Sequence, residues 1–259
     1  FSYKQTTAIP NIVLQRVDIY SRSVTAMMLI NILLFFIFLH VHVGVDSLTV
    51  NFCTGNAMKI NEVTSILKTH FSPSNPLITL NHLNVDLPEI QAEDAAVIPK
   101  HKATLGAQLA NGPCVCEDTS LCLHALGGMP GPFIKFFQKS LGNKGLYDVL
   151  SAYPLKTATA VCTLAFVPAV HADPIVFEGV VEGTLVDPED EKWKEFSSGF
   201  GWDSIFVPSG YDRPFSAMSL EEKCSISHRG AAVRAWANWM ELNEEELRKP
   251  HNDKRIGHR

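Results

Sequence analysis

No stretch of the sequence matches the GxxxxGK(S/T) phosphate loop, and Thr54-Gly55-Asn56 is too short for a GxGxxG fingerprint, so motif alone indicates neither standard nucleotide fold. Positive charge is not in excess: 22 Lys and Arg against 27 Asp and Glu leave a formal net charge of −5. That argues against a general nucleic-acid binder, though a local basic pocket stays open. The CxxC pair of zinc and redox sites is missing too. Of six cysteines, at 53, 114, 116, 122, 162 and 224, only Cys114 and Cys116 are close, and their interval is wrong for such a pair. They read as reduced structural thiols of a cytosolic protein. There is no internal repeat.

What is there suits a globular protein. The 259 residues suffice for one large α/β domain or two small ones, and 46% hydrophobic against 19% charged content can build a sizeable core. One segment departs from this picture. Residues 26–45, AMMLINILLFFIFLHVHVGV, approach the ~20 apolar residues that span a bilayer. Lys4, Arg16 and Arg22 precede them, as in an uncleaved anchor or signal sequence, while Asn31, His40 and His42 weaken the run. Three readings stand: an extension translated from upstream of the native start, a membrane anchor, or a buried hydrophobic arm. The first is favoured, because the globular pattern starts cleanly afterwards. The expected organisation is an N-terminal extension at 1–46, a globular domain at 47–242 and a polar tail at 243–259.

From Leu48 the pattern is orderly. Leu48–Cys53 reads as a buried strand, Thr54-Gly55-Asn56 as a turn, and the period of Ile60, Val63, Ile66 and Leu67 as a helix. Such a βα unit aims the helix N-terminus at whatever sits above the strand. Pro73–Pro76 ends that helix, Leu77–Val85 is a second strand, and 93–110 is helical, kinked or delayed by Pro99. Pro113–Asp118 reads as a short third strand ending in two carboxylates. Helices follow at Phe133–Leu141 and Gly145–Leu150, then a strand at Lys156–Val167 with an antiparallel partner at Ile175–Val186. A charged loop covers 187–199. Ser219-Leu-Glu-Glu222 is a capping box opening one long last helix to about Leu242. These elements predict an α/β fold with one mixed sheet.

Charged residues beside strand ends and glycine turns supply the candidate chemistry. The acids are Glu89, Glu117, Asp118 and Asp203; the bases are Lys59, Lys100 or Lys102, Lys135, Lys223, His228 and Arg229. An unpaired buried carboxylate is costly, so acids at a strand end imply a cation. Carboxylates suit Mg²⁺, which takes hard oxygens and shares its site with substrate phosphates. Lysine and arginine suit the phosphates themselves, and Thr54 with the amides of Gly55 and Asn56 would add neutral donors. Each residue also has an ordinary explanation taken singly. Lys59 could be a solvated first-turn residue, Glu89 a loop acid, Glu117-Asp118 a helix cap, and His228 a structural residue inside the last helix.

Five stretches occur in order: Thr54-Gly55-Asn56-Ala57-Met58-Lys59; Leu87-Pro88-Glu89; Glu117-Asp118-Thr119 with the ALGGMPGP loop at Ala125–Pro132; Phe200-Gly201-Trp202-Asp203; and Ser227-His228-Arg229. Through them, over about Leu48 to Trp239, the chain resembles the inosine triphosphate pyrophosphatase (HAM1-like) family, most closely its eukaryotic branch. The resemblance implies an elongated α/β fold, a long mixed sheet with flanking helices and two lobes around a central cleft, paired as a homodimer. It implies cytoplasmic, Mg²⁺-dependent hydrolysis of inosine and xanthosine triphosphates to monophosphate and pyrophosphate, with Mn²⁺ as a substitute metal. The segment 47–242 would be the pyrophosphatase domain, and attack would fall at the α-phosphorus.

On that pattern Thr54, Gly55, Asn56, Ala57, Met58 and Lys59 would grip the triphosphate. Glu89 and Asp118, with Glu117 beside them, would hold the metal; Asp118 would orient or deprotonate the attacking water, with Lys59 as its catalytic companion. Thr119 and Lys135 would contact substrate, Phe200, Gly201, Trp202 and Asp203 would line the base pocket, and Lys223, His228 and Arg229 would read the base edge. Lys100 aligns with a substrate lysine only after a one-residue gap, so Lys102 is the alternative. Met58 stands where a lysine is common, and the acidic loop at 187–195 is longer than the pattern. The rivals are a same-fold triphosphatase for pyrimidine or modified nucleotides, and a non-catalytic nucleotide-binding protein tethered by 26–45.

Overall fold

The computed structural model describes residues 47–72, 77–92 and 94–248. The apolar run at 26–45 with the rest of 1–46, the stretch Pro73–Pro76 and the tail beyond Arg248 lie outside the described residues. Among the described residues no helix is long and apolar enough to cross a membrane.

Strand β1 (Leu48–Cys53) leads through Thr54-Gly55 into helix α1 (Ala57–His70). Asn56 starts the helix, because its side-chain oxygen accepts from the Met58 and Lys59 amides. The buried stripe of α1 is Glu62, Val63, Ile66 and Leu67. Strand β2 (Ile78–Leu83) precedes α2 (Val97–Ala110), which carries Pro99 in its first turn, where backbone N–H groups have no helical acceptor.

Strand β3 (Cys114–Leu123) runs well past the expected end at Asp118. Its register with β5 (Thr157–Val167) is unbroken from Cys114↔Val167 to Leu123↔Ala158. Leu121 and Leu123, fully buried, carry the alternation onward. Glu117 and Asp118 therefore sit in mid-strand, and neither a strand end nor a helix cap accounts for them. Strand β4 (Pro130–Gly131) folds back on β3, and α3 (Ile134–Asp148) is interrupted at Gly142, whose φ of 67° separates the two helices expected there.

Strands β6 (Ile175–Leu185) and β7 (Phe206–Pro208) complete one seven-stranded mixed sheet in the order β2-β1-β3-β5-β6-β7, with β4 beside β3. Pairing is parallel among β2, β1 and β3 and antiparallel elsewhere.

The expected single last helix is two. Helix α4 (Leu220–Ile226) opens on Ser219, whose Oγ accepts from the Glu222 amide. Ser227 then leaves the helical backbone, with φ −73° and ψ 159°, and its Oγ accepts from the Gly230 amide to start α5 (His228–Leu242). His228 and Arg229 thus occupy a helix N-terminus and not a helix interior. Gly179 of β6 permits this approach: a Cβ there would lie 2.0 Å from the His228 carbonyl oxygen. A further turn, α6 (Glu244–Leu247), in the segment assigned to the tail, sets Leu247 against the core. Helices α1 and α5, the latter through Trp236, cover one sheet face over Val50, Phe52, Leu164 and Phe166, and α2 covers Cys53, Cys114, Cys116, Ala165 and Val167 on the other.

Candidate active site

A cleft of about 810 Å³ is framed by the turn after β1, the segment after β2, the middle of β3, the start of α3, the Phe200–Asp203 turn and the first turn of α5. All the site residues named from the sequence line it except Lys100 and Lys223. Lys102 takes the place of Lys100 on the wall, and Lys223 lies behind Asp203.

Glu117 is buried and fully paired. Lys59 Nζ lies 2.7 Å from its Oε1, Arg229 Nε donates to Oε2 at 3.1 Å, and the Cys162 thiol donates to Oε2 at 2.9 Å. Burial pushes this carboxyl up, but Arg229 and Lys59 outweigh burial and hold it well below the usual carboxylate range. Arg229 also donates to Glu62 and, at 3.1 Å, to Thr119 Oγ1. Lys223 joins Glu62, at 2.7 Å, to Asp203. Lys59, Arg229 and Lys223 therefore balance Glu117, Glu62 and Asp203 in one continuous buried lattice that ties α1, β3, α4 and α5 to the 200–203 turn. Arg229, expected at a base edge, lines the cleft with most of its N–H groups taken by Glu62, Glu117 and Thr119.

Asp118 is different. It lines the cleft with no hydrogen-bond or ion-pair partner among the described residues. Burial raises its carboxyl to about 6; Lys59 and Lys102 pull it down, while Glu117 and Glu89 push it further up. Glu89 shares the wall, 2.9 Å from Lys102 Nζ and 3.7 Å from Lys135 Nζ. Two hard carboxylates on one wall, one of them unpartnered and disfavoured as an anion, make a donor set that fits a divalent cation with oxygen preference.

At the β1 turn Thr54 Oγ1 accepts from the Asn56 amide at 3.1 Å, so that amide is engaged within the turn. The amides of Gly55 and Ala57 have no acceptor among the described residues. Across the cleft His228 is 2% exposed, and neither ring nitrogen has a partner. Burial, then Arg229, hold it well below the usual histidine value, so it is neutral at pH 7. Gly201, at φ 59°, turns the chain that carries Trp202, and Asn143 fixes the turn by donating to the Gly201 carbonyl at 3.0 Å and to Ser204 Oγ at 2.8 Å.

Sequence reasoning missed Glu62, Gln138 and Asn143. Glu62 left a signal: it stands four residues before Ile66 and beside Val63, on the buried stripe of α1. Gln138 and Asn143 left none, since amides on a surface-facing helix pattern are ordinary.

Fold and cleft together define an α/β protein with a small-ligand cleft that carries charges of both signs. Within that class the chain belongs to the Ham1 family, which it matches over residues 50–239. It is 41% identical over 183 residues to the inosine triphosphate pyrophosphatase of Puccinia graminis f. sp. tritici, covering 70% of this chain and 91% of that one. To the protein of that name from Emericella nidulans it is 39% identical over 192 residues, covering 74% and 96%. The fold is that of a HAM1 protein from Coxiella burnetii (TM-score 0.62, 22% identity, 75% of this chain and 99% of that one). A nucleoside-triphosphatase, dITP/XTP pyrophosphatase, from Mycobacterium abscessus superposes with a TM-score of 0.53 at 28% identity, covering 74% and 99%.

Proposed function

We propose that this protein is a nucleoside triphosphate pyrophosphatase that hydrolyses non-standard purine triphosphates, those of inosine, deoxyinosine and xanthosine, to the monophosphate and pyrophosphate. The observation that carries the reading is Asp118, an unpartnered carboxyl raised to about 6 in a cleft lined by Lys59, Lys102 and Lys135. Such a group can accept a proton from water near neutral pH, where an ordinary aspartate is too weak a base. The names of the fungal relatives support the substrate class.

The chain's residues divide the work. The free amides of Gly55 and Ala57 and the side chains of Lys59, Lys102 and Lys135 bind and orient the triphosphate and meet the charge that spreads over its oxygens. Asp118 orients the attacking water on the α-phosphorus and takes its proton. Glu89 and Asp118 would hold Mg²⁺, or Mn²⁺ in its place, which supplies charge neutralisation on the phosphate oxygens. Trp202 and His228 form the base slot. A neutral imidazole presents one donor and one acceptor, so His228 can donate to a 6-oxo group, and the buried polar pairing disfavours a 6-amino purine. Glu117, counted among the metal ligands from the sequence, acts instead as the counter-ion that locks Lys59 and Arg229.

The domain 47–242 carries the activity. The free thiols of all six cysteines support a reducing compartment such as the cytosol. Exposed Met129, Phe136 and Leu141 on and before α3 support pairing as a homodimer. Pyrophosphate release from inosine triphosphate, ATP and deoxyuridine triphosphate, with and without Mg²⁺, tests the function. Rapid Mg²⁺-dependent release from the inosine substrate alone is expected; a preference for the pyrimidine, or no release, overturns the reading.

A further inference from the structure

Away from the ion lattice, three thiols meet on the α2 face of the sheet. The register Asn51↔Cys114 and Phe52↔Val115 places Cys53, Cys114 and Cys116 on one face. Their sulfurs lie within 4.8 Å of one another, with Cys53 Sγ and Cys114 Sγ 3.3 Å apart. Cys53 is 4% exposed and the other two not at all. Opposite them α2 presents a glycine. A Cβ on Gly106 would lie 2.5 Å from Cys114 Sγ and 2.8 Å from Cys53 Sγ, so the missing methyl is the space the sulfurs occupy. A mid-helix glycine costs about 1 kcal/mol relative to alanine, and here it has this local reason.

We propose that Cys53, Cys114 and Cys116 form a three-thiolate site for a thiophilic d10 divalent cation, zinc-like and not magnesium-like, reached from the cleft that Cys53 borders. Thiolates select soft ions, as the hard oxygens of Glu89 and Asp118 do not. Three thiolates around a divalent ion leave one net negative charge, and Lys102 lies close enough to act on both Cys53 and Cys116. Each thiol gives its proton to solvent as the ion binds. The apolar shell of Ala103, Ala107 and Ala165 excludes competing oxygen ligands.

The test uses the full reduced chain without nucleotide or Mg²⁺, titrated with Cd²⁺ against a competing chelator. One equivalent should bind, with the ultraviolet charge-transfer absorption of metal thiolates. After exchange with Zn²⁺, X-ray absorption should find three sulfur neighbours at about 2.3 Å. The combined Cys53→Val, Cys114→Val and Cys116→Val variant should bind at least tenfold more weakly, Gly106→Ala should weaken binding by crowding the sulfurs, and Cys122→Ala should leave it unchanged. Absence of binding, equal binding by the combined variant, or capture of the same sulfurs as a Cys53–Cys114 disulfide in place of the metal would overturn the proposal. Should the combined variant not fold, the sulfur count of the wild-type zinc form decides: three supports the site, fewer overturns it.

Discussion

Trp202 stacks on His228 in the cleft, ring centroids 5.5 Å apart and planes 27° from parallel. The stack fixes an imidazole whose two nitrogens meet no protein partner, at the first turn of α5, where Ser227 interrupts what is otherwise one run of helix. The indole face and the imidazole edge on this side of the cleft thus come from the 200–203 turn and the first turn of α5, far apart in the chain.

This buried neutral histidine makes stability depend on pH. Its folded value lies well below 6.5, whereas the unfolded chain titrates near 6.5. The unfolded chain therefore takes up a proton first as pH falls. Stability that is intact above about 6.5 should decline below it, by up to about 1.4 kcal/mol per pH unit. Denaturant midpoints at pH 7.5 and 5.5 measure the slope. His228→Phe, which keeps the stack, should flatten it; an unchanged slope in that variant would exclude His228 as its source.

Asp118→Asn should lower turnover by about 10²–10⁴-fold while the fold persists. The same change should stabilise the protein at pH 7.5. The folded carboxyl is raised to about 6, above its unfolded value, so its contribution is present at low pH and lost as pH rises through 6. Asparagine escapes that loss, a gain of roughly 1–3 kcal/mol at neutral pH. Thermal unfolding beside a pyrophosphate assay checks both, and retained turnover would remove Asp118 from its role.

Arg229→Met should destabilise the fold by about 3–5 kcal/mol, because Glu62 and Glu117 would lose their shared counter-ion in the interior. Adding Glu62→Gln should restore part of that loss. Lysine should be a poor replacement, since it cannot fork between two carboxylates and Thr119. An unaltered urea midpoint for Arg229→Met would mean the guanidinium is not a structural hub.

Gly179→Ala tests how closely β6 must approach α5. The new methyl would meet the His228 carbonyl at 2.0 Å and the Ala232 amide nitrogen at 2.5 Å. A loss of about 1–3 kcal/mol is expected from overpacking, together with a raised KM for inosine triphosphate as His228 shifts. Wild-type stability and KM would show that the helix can give way freely.

The parts of the fold legible in the sequence were those with a local cause. The strand Leu48–Cys53 ends at the Thr54-Gly55-Asn56 turn, Ser219 caps a helix, and the break between Leu141 and Gly145 falls at Gly142, so these boundaries lie where chain chemistry puts them. The continuation of β3 past Asp118 was not legible, because two adjacent acids resemble an ending until β5 is seen paired beside them over the whole strand. Nor was the break at Ser227, since serine is tolerated inside helices and its capping role appears only with Gly230 in place.

The site shows the same division. Ordered motifs marked Glu89, Asp118, Trp202 and His228, and the cleft gathers them. What motifs could not show is which charges satisfy one another. Glu62 and Glu117 stand far apart in the sequence, and only the packing of α5 against α1 and β3 reveals that Arg229 serves both. That pairing leaves Asp118 and His228, among the residues marked from the sequence, without a protein partner in the cleft.

Hydrolysis of inosine triphosphate in water labelled with heavy oxygen, followed by mass analysis of the products, tests the central claim most directly. Water held by Asp118 against the α-phosphorus puts the label in inosine monophosphate and leaves pyrophosphate unlabelled. Label in orthophosphate or pyrophosphate, or inosine diphosphate as a product, would contradict it.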